Sequence, residues 1–164
     1  MADFRGNPLT VCLFVAALLL ADVLCFGQNA DVLKTLDYDH HAPLDIKESG
    51  VEKRGDVTIH DISYASPRGG RVPAYLVVPS GKGSFAAVIW GHWYWENSEF
   101  RNRKEFLDEA VALASTGVVS LLPDGPIARP GHVADPDPFS QQQVTDLIQS
   151  IVDMRRGGRP AAEP

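Results

Sequence analysis

The sequence is short of cysteine, of positive charge and of long apolar runs, and each shortage excludes something. Only Cys12 and Cys25 occur, so residues 26–164 hold no thiol. Disulfides, thiolate metal sites and cysteine nucleophiles are thereby excluded from that stretch. The net charge of −6 argues against nucleic acid as the main partner, because neutralising phosphates takes a basic face. The apolar run Val11–Ala21 (VCLFVAALLLA) falls well short of the roughly 20 residues a membrane helix needs, and Asp22 stops it. Glycine and proline number 14 and 12 but are too dispersed for a collagen-like or low-complexity tract. What remains, 45% hydrophobic and 22% charged, is the profile of one globular domain.

The apolar run follows the cation Arg5 and leads to Cys25-Phe26-Gly27, which places small residues at positions −3 and −1 of a cleavage site. Residues 1–27 are therefore expected to be a cleaved export signal, with the periplasm or the exterior as destination. The alternative is an uncleaved membrane anchor. Cleavage leaves 137 residues that must stand on their core, with no disulfide to help.

Residues 28–56 are polar without a sustained period and read as an N-terminal arm of loop and short helix. Val57–Tyr64 (VTIHDISY) alternates and is rich in β-branched residues, so a strand is expected, followed by turn chemistry in Ser66-Pro67-Arg68-Gly69-Gly70. Arg71–Val78 (RVPAYLVV) alternates again, and Pro73 points to a strand at or near a sheet edge. Phe85–Trp90 (FAAVIW) is continuously apolar, as suits a strand buried on both faces of a parallel sheet. A helix capped by Asn97 or Ser98 is expected to run through Thr116 and stop at Gly117, before a second buried strand over Val118–Leu122. A long loop, Pro123–Pro138, holds five prolines. Ser140–Met154 then carries Val144, Leu147, Ile148, Ile151 and Val152 on one helical stripe, ended by Gly157-Gly158. Residues 57–156 form the expected domain and 157–164 an unstructured tail. No internal repeat or second domain is visible.

The segments AYLVVPSGKGSFAAVIWGHW, EFLDEAVALASTGVVSLLPDGP and VTDLIQSIVDMRR, in that order and spacing, resemble the N-terminal half of the α/β-hydrolase fold. The dienelactone hydrolase and acetyl-xylan-esterase-like branch is the nearest in pattern. The resemblance implies an α/β fold class: an edge β-hairpin, then strand, helix, strand, loop and helix, in an incomplete sheet. It also implies serine ester hydrolysis with no cofactor and no metal. In that fold a strand and a G-x-S-x-G nucleophile elbow come next, and the triad acid and histidine later still. No such pentapeptide occurs in the 164 residues. The implied protein is thus a truncated hydrolase without its nucleophile, inactive alone, whose complete relatives take a small ester substrate. An incomplete sheet also implies an uncovered edge open to self-association.

By the same resemblance, the loop after the first buried strand contributes a backbone N–H to an oxyanion hole, and here His92 or Trp93 would supply it. Trp93, Tyr94 and Trp95 would wall a substrate pocket. Asp124 follows the second buried strand, where open α/β sheets gather ligands, though it also suits a plain turn in Pro123-Asp124-Gly125-Pro126. His92 has no nucleophile elbow before it to serve as a triad base. Asp37, Asp39, His40 and His41 read as a solvated arm, since adjacent ligands lack the spacing of a zinc site. Arg101, Arg103 and Lys104, mixed with Glu99, Glu105, Asp108 and Glu109, read as a solvated helix face. A rival from another class is a small exported binding module whose Trp90, Trp93, Tyr94 and Trp95 stack on sugars or other flat ligands.

Overall fold

In a computed structural model, residues 33–93, 101–137 and 139–159 are described. The chain divides into two units at Asp37/Tyr38. The described part of the first is one turn, in which the Leu36 and Asp37 amides donate to the Leu33 and Lys34 carbonyls. The expected signal segment, 1–27, lies outside the described residues, among which no helix is long and apolar enough to cross a membrane.

The second unit is built on a five-stranded mixed sheet. Strands β1 (Lys47–Arg54), β2 (Val57–Ala65) and β3 (Arg71–Val78) form an antiparallel meander. Its second turn closes where the Ser66 amide donates to the Gly70 carbonyl at 3.1 Å, with Gly69 and Gly70 at φ +96 and +76. Those angles exclude most residues with a Cβ and explain the glycine pair. Strand β4 (Ala86–Ile89), helix α1 (Leu107–Ala114), strand β5 (Val118–Pro123), a 3₁₀ turn (Pro126–Ala128) and helix α2 (Gln141–Gly157) complete it. Spatial order is β1-β2-β3-β5-β4, with β5 antiparallel to β3 and parallel to β4.

Alternation along the strands gives the sheet two apolar faces. Val57, Ile59, Val77 and Leu122 pack with Leu107, Ala110 and Ala114 of α1. Ile62, Tyr64, Val72, Ala74 and Leu121 line the other face, where α2 docks and the Tyr64 hydroxyl donates to the Asp153 carbonyl at 2.9 Å.

Several sequence expectations are corrected here. The polar arm contains a strand: β1 (KESGVEKR) is exposed at every residue and is held by its ladder to β2, with a register shift between Glu48 and Gly50. β3 is central rather than at an edge. Pro73 is tolerated because the ladder to β5 begins only at Ala74. The Pro73 carbonyl still accepts from the Asp124 amide at 2.8 Å, so its missing N–H faces the point where the neighbouring chain departs. β4 pairs in parallel as expected, but all four of its residues are exposed, because only β5 adjoins it among the described residues.

Helix α1 starts at Leu107, after a turn through Arg101–Phe106, and no side chain caps it. Asn97 and Ser98, the expected caps, lie outside the described residues. Helix α2 is capped by Ser140, whose hydroxyl accepts from the Gln143 amide, but its apolar stripe is buried only in part, at Val152. Val144, Leu147 and Ile151 are 45%, 63% and 37% exposed, whereas Val152, Asp153 and Arg156 are buried. Gly157, assigned to the tail, ends the helix instead. The buried face can include Asp153 and Arg156 because each has a partner. The Asp153 carboxylate accepts from the Ser66 hydroxyl at 2.6 Å and from the Arg129 guanidinium, and Arg156 donates to the His40 and Ala42 carbonyls.

Candidate functional site

The carboxyl ends of β4 and β5 place the candidate residues side by side. The Trp90 amide donates to the Leu121 carbonyl at 2.9 Å, after which the chain leaves the sheet through Gly91, His92 and Trp93. A Cβ on Gly91 would lie 3.0 Å from Met154 Cε, so the loop passes close against the side chain of α2 there. Next to it, β5 ends in Pro123, Asp124 and Gly125.

The two loops are joined by His92. Its Nε2 accepts from the Gly125 amide at 2.8 Å, which puts the ring proton on Nδ1, 3.2 Å from the Trp93 carbonyl oxygen. The imidazole is thus committed to the backbone on both nitrogens, and it holds the loop in place. A Cβ on Gly125 would meet Ser150 Oγ at 3.2 Å and His92 Nε2 at 3.4 Å, which explains the glycine there. Beside them lies a cavity of about 260 Å³ lined in part by His92, Gly125, Ile127, Leu147, Ser150 and Met154.

Trp93 is 69% exposed, and its amide donates to the Glu105 carboxylate at 2.8 Å. Tyr94 and Trp95 lie outside the described residues. Trp90 does not share an aromatic face with Trp93, because it stacks on Phe106 with centroids 5.5 Å apart and packs against the core. The stacking surface of the binding-module reading therefore loses one of its four rings.

Asp124 is buried, and its carboxylate accepts from the Arg103 amide at 2.7 Å. Arg103 does not belong to the solvated face expected of it, since its side chain is only 19% exposed. Its guanidinium forks onto both oxygens of Asp61 (2.8 and 3.1 Å) and lies over the Tyr75 ring at 4.4 Å. Such a planar fork needs two acceptors and a flat surface together, which no local sequence pattern reveals. The one hint is Asp61, a carboxylate inside a β-branched strand. Arg103 thus ties the turn before α1 to β2, β3 and the end of β5.

Burial pushes the Asp124 carboxyl above the ordinary carboxylate range, against the opposing pull of the Arg103 amide, the Arg103 charge, His92 and Arg129. A raised value means the folded state holds this proton more tightly than the unfolded state. The cost of ionisation is therefore absent below the unfolded value, grows through the window above it, and is complete above the folded value. The melting temperature of the wild type relative to Asp124→Asn is expected to rise between about pH 7 and about pH 4. A relative fall on acidification would show that the folded site favours the ion.

No protein-family model and no curated protein matches the sequence. Solved structures do match. Acetyl xylan esterase 1 from Thermoanaerobacterium sp. aligns over 79% of this chain and 45% of its own, with TM-score 0.54 and 15% identity. An acetyl xylan esterase from Paenibacillus sp. aligns over 68% and 34%, with TM-score 0.46 and 23% identity. A cold-adapted esterase from an Arctic intertidal metagenomic library aligns over 61% and 42%, with TM-score 0.40 and 21% identity. The chain spans less than half the length of each of these proteins. Its fold is a partial α/β fold shared with the Thermoanaerobacterium enzyme.

Proposed function

We propose that the chain is the N-terminal part of an exported α/β-hydrolase of the dienelactone hydrolase and acetyl-xylan-esterase-like branch. Its role there is to supply the oxyanion loop, while the nucleophile lies beyond these residues. The observation that carries the reading is the shared fold at TM-score 0.54 with an acetyl xylan esterase over 79% of the chain. The His92–Gly125 hydrogen bond supports it, because it fixes the Gly91–Trp93 backbone at the carboxyl end of the sheet, where preorganised donors stabilise a developing alkoxide. The substrate class is a small ester cleaved by acyl transfer.

Without G-x-S-x-G these residues carry no serine on a nucleophile elbow. Purified chain is therefore expected to hydrolyse 4-nitrophenyl acetate no faster than its histidines do as free imidazoles, with no effect of a fluorophosphonate. Fluorophosphonate-sensitive, saturable turnover would overturn the inactivity. Coding DNA past Pro164 with no strand and no G-x-S-x-G in any frame would overturn the hydrolase reading itself. The exposed edge of β4 is the surface through which the isolated chain would self-associate, so sedimentation should show species heavier than a monomer.

A further inference from the structure

We infer that the Trp93 amide is a binding position for a small carboxylate or oxyanion, and that Glu105 occupies it from within the chain when no ligand is present. The inference rests on the reading of Gly91–Trp93 as the oxyanion loop and adds a regulatory contact to it. A backbone N–H paired with an ionised carboxylate makes a charge-assisted hydrogen bond, stronger than one to a neutral oxygen. Trp93 N–H makes such a bond to Glu105 Oε2 at 2.8 Å. Among the described residues Glu105 has no ion-pair partner, so its carboxylate is held by an uncharged amide.

The two sides of the contact differ in freedom. The Trp93 side is fixed by His92, which is bonded to Gly125 and to the Trp93 carbonyl. The Glu105 backbone is fixed as well, since its amide donates to the Asn102 carbonyl at 3.0 Å and neighbouring Arg103 is clamped by Asp61 and Asp124. The Glu105 side chain, by contrast, can turn about its own bonds. An incoming anionic oxygen can replace it without refolding the turn, and the donor stays where it was. The position therefore selects ligands with a negative oxygen, such as the carboxylate product of ester cleavage, and excludes them until Glu105 swings away.

The test is amide NMR of the ¹⁵N-labelled full chain, comparing wild type, Glu105→Ala, Glu105→Gln and the control Asp108→Asn. Sodium acetate is titrated against sodium chloride at equal ionic strength. Both Glu105 variants are expected to shift the Trp93 amide upfield, and Asp108→Asn to leave it in place. Acetate is expected to move the Trp93 amide saturably in Glu105→Ala, with an apparent affinity at least about tenfold above wild type, a difference of about 1.4 kcal/mol. Should Glu105→Ala fail to fold, Glu105→Gln carries the comparison, because it keeps the shape and removes the charge. Equal acetate responses in wild type and variants, or a response matched by chloride, would overturn the inference. So would a Trp93 amide indifferent to both Glu105 substitutions. These outcomes are independent of the downstream DNA. A missing nucleophile sinks the hydrolase reading while an acetate response leaves the anion position standing, and a G-x-S-x-G downstream with no acetate response sinks only the inference.

Discussion

Replacing Asp153 by alanine is expected to destabilise the chain by about 3–5 kcal/mol, a large fraction of the roughly 5–15 kcal/mol that holds an ordinary domain folded. Asp153 is 1% exposed, and its carboxylate is shared by the Ser66 hydroxyl and the Arg129 guanidinium. Removing it leaves a cation and a hydroxyl in the interior with no anion to face. The Arg129 side chain is itself only 13% exposed. Arg129 would keep its bond to the Asp124 carbonyl, 3.0 Å from Nη2, but one neutral acceptor does not replace a carboxylate. Asparagine at 153 retains one acceptor and should lose less. Urea denaturation followed by tryptophan fluorescence measures both; a loss below about 1 kcal/mol for alanine would show that water reaches Arg129.

Gly157→Ala is expected to destabilise by about 1–3 kcal/mol, the opposite of the usual sign for glycine replaced by alanine in a helix. Ordinarily alanine gains roughly 0.5–1 kcal/mol by restricting the unfolded chain. At Gly157 the new methyl would lie 2.7 Å from Leu121 Cδ2, 2.8 Å from the Tyr64 hydroxyl oxygen and 2.9 Å from Tyr64 Cζ. Tyr64 cannot retreat, because it is 2% exposed and its hydroxyl is bonded to the Asp153 carbonyl. The helix end would have to lift from the sheet, separating α2 from β2 and β5 together. Thermal melts of the two proteins decide the sign, and a stabilised variant would show that α2 can shift at little cost.

Both predictions concern the seam between α2 and the sheet, which the sequence pattern did not disclose. Periodicity revealed β2, β3 and β5, where apolar residues alternate or run on and become core. It located β4 but not its exposure, since an apolar run says nothing about how many neighbours a strand has. It missed β1 because KESGVEKR has no apolar face and is held by its backbone ladder and by polar contacts such as Glu48 with His60 and Ser49 with Asp61. In α2 it was right about Val152 but missed the polar groups buried beside it. Val144, Leu147 and Ile151 supply the period, yet the helix docks through Asp153 and Arg156, whose burial depends on Ser66, Arg129 and the residues around Ala42.

The candidate site was legible only as a place. Glycine before the aromatic loop and Asp124 after the buried strand marked two strand ends. What joins them, a histidine accepting from an amide 33 positions along and an arginine bonded to a carboxylate 42 positions before it, has no local signature.

The order of the sheet has a consequence for how the molecule is made. β1, β2 and β3 can pair as each leaves the ribosome, every strand finding its neighbour already in place. β4 cannot, because β5 stands between it and β3. The 28 residues from Trp90 to Gly117 must be synthesised before β5 starts, roughly 1–6 s at ordinary elongation rates. During that interval FAAVIW is an apolar strand with no partner, and the nascent chain is then most exposed to aggregation and most in need of a chaperone.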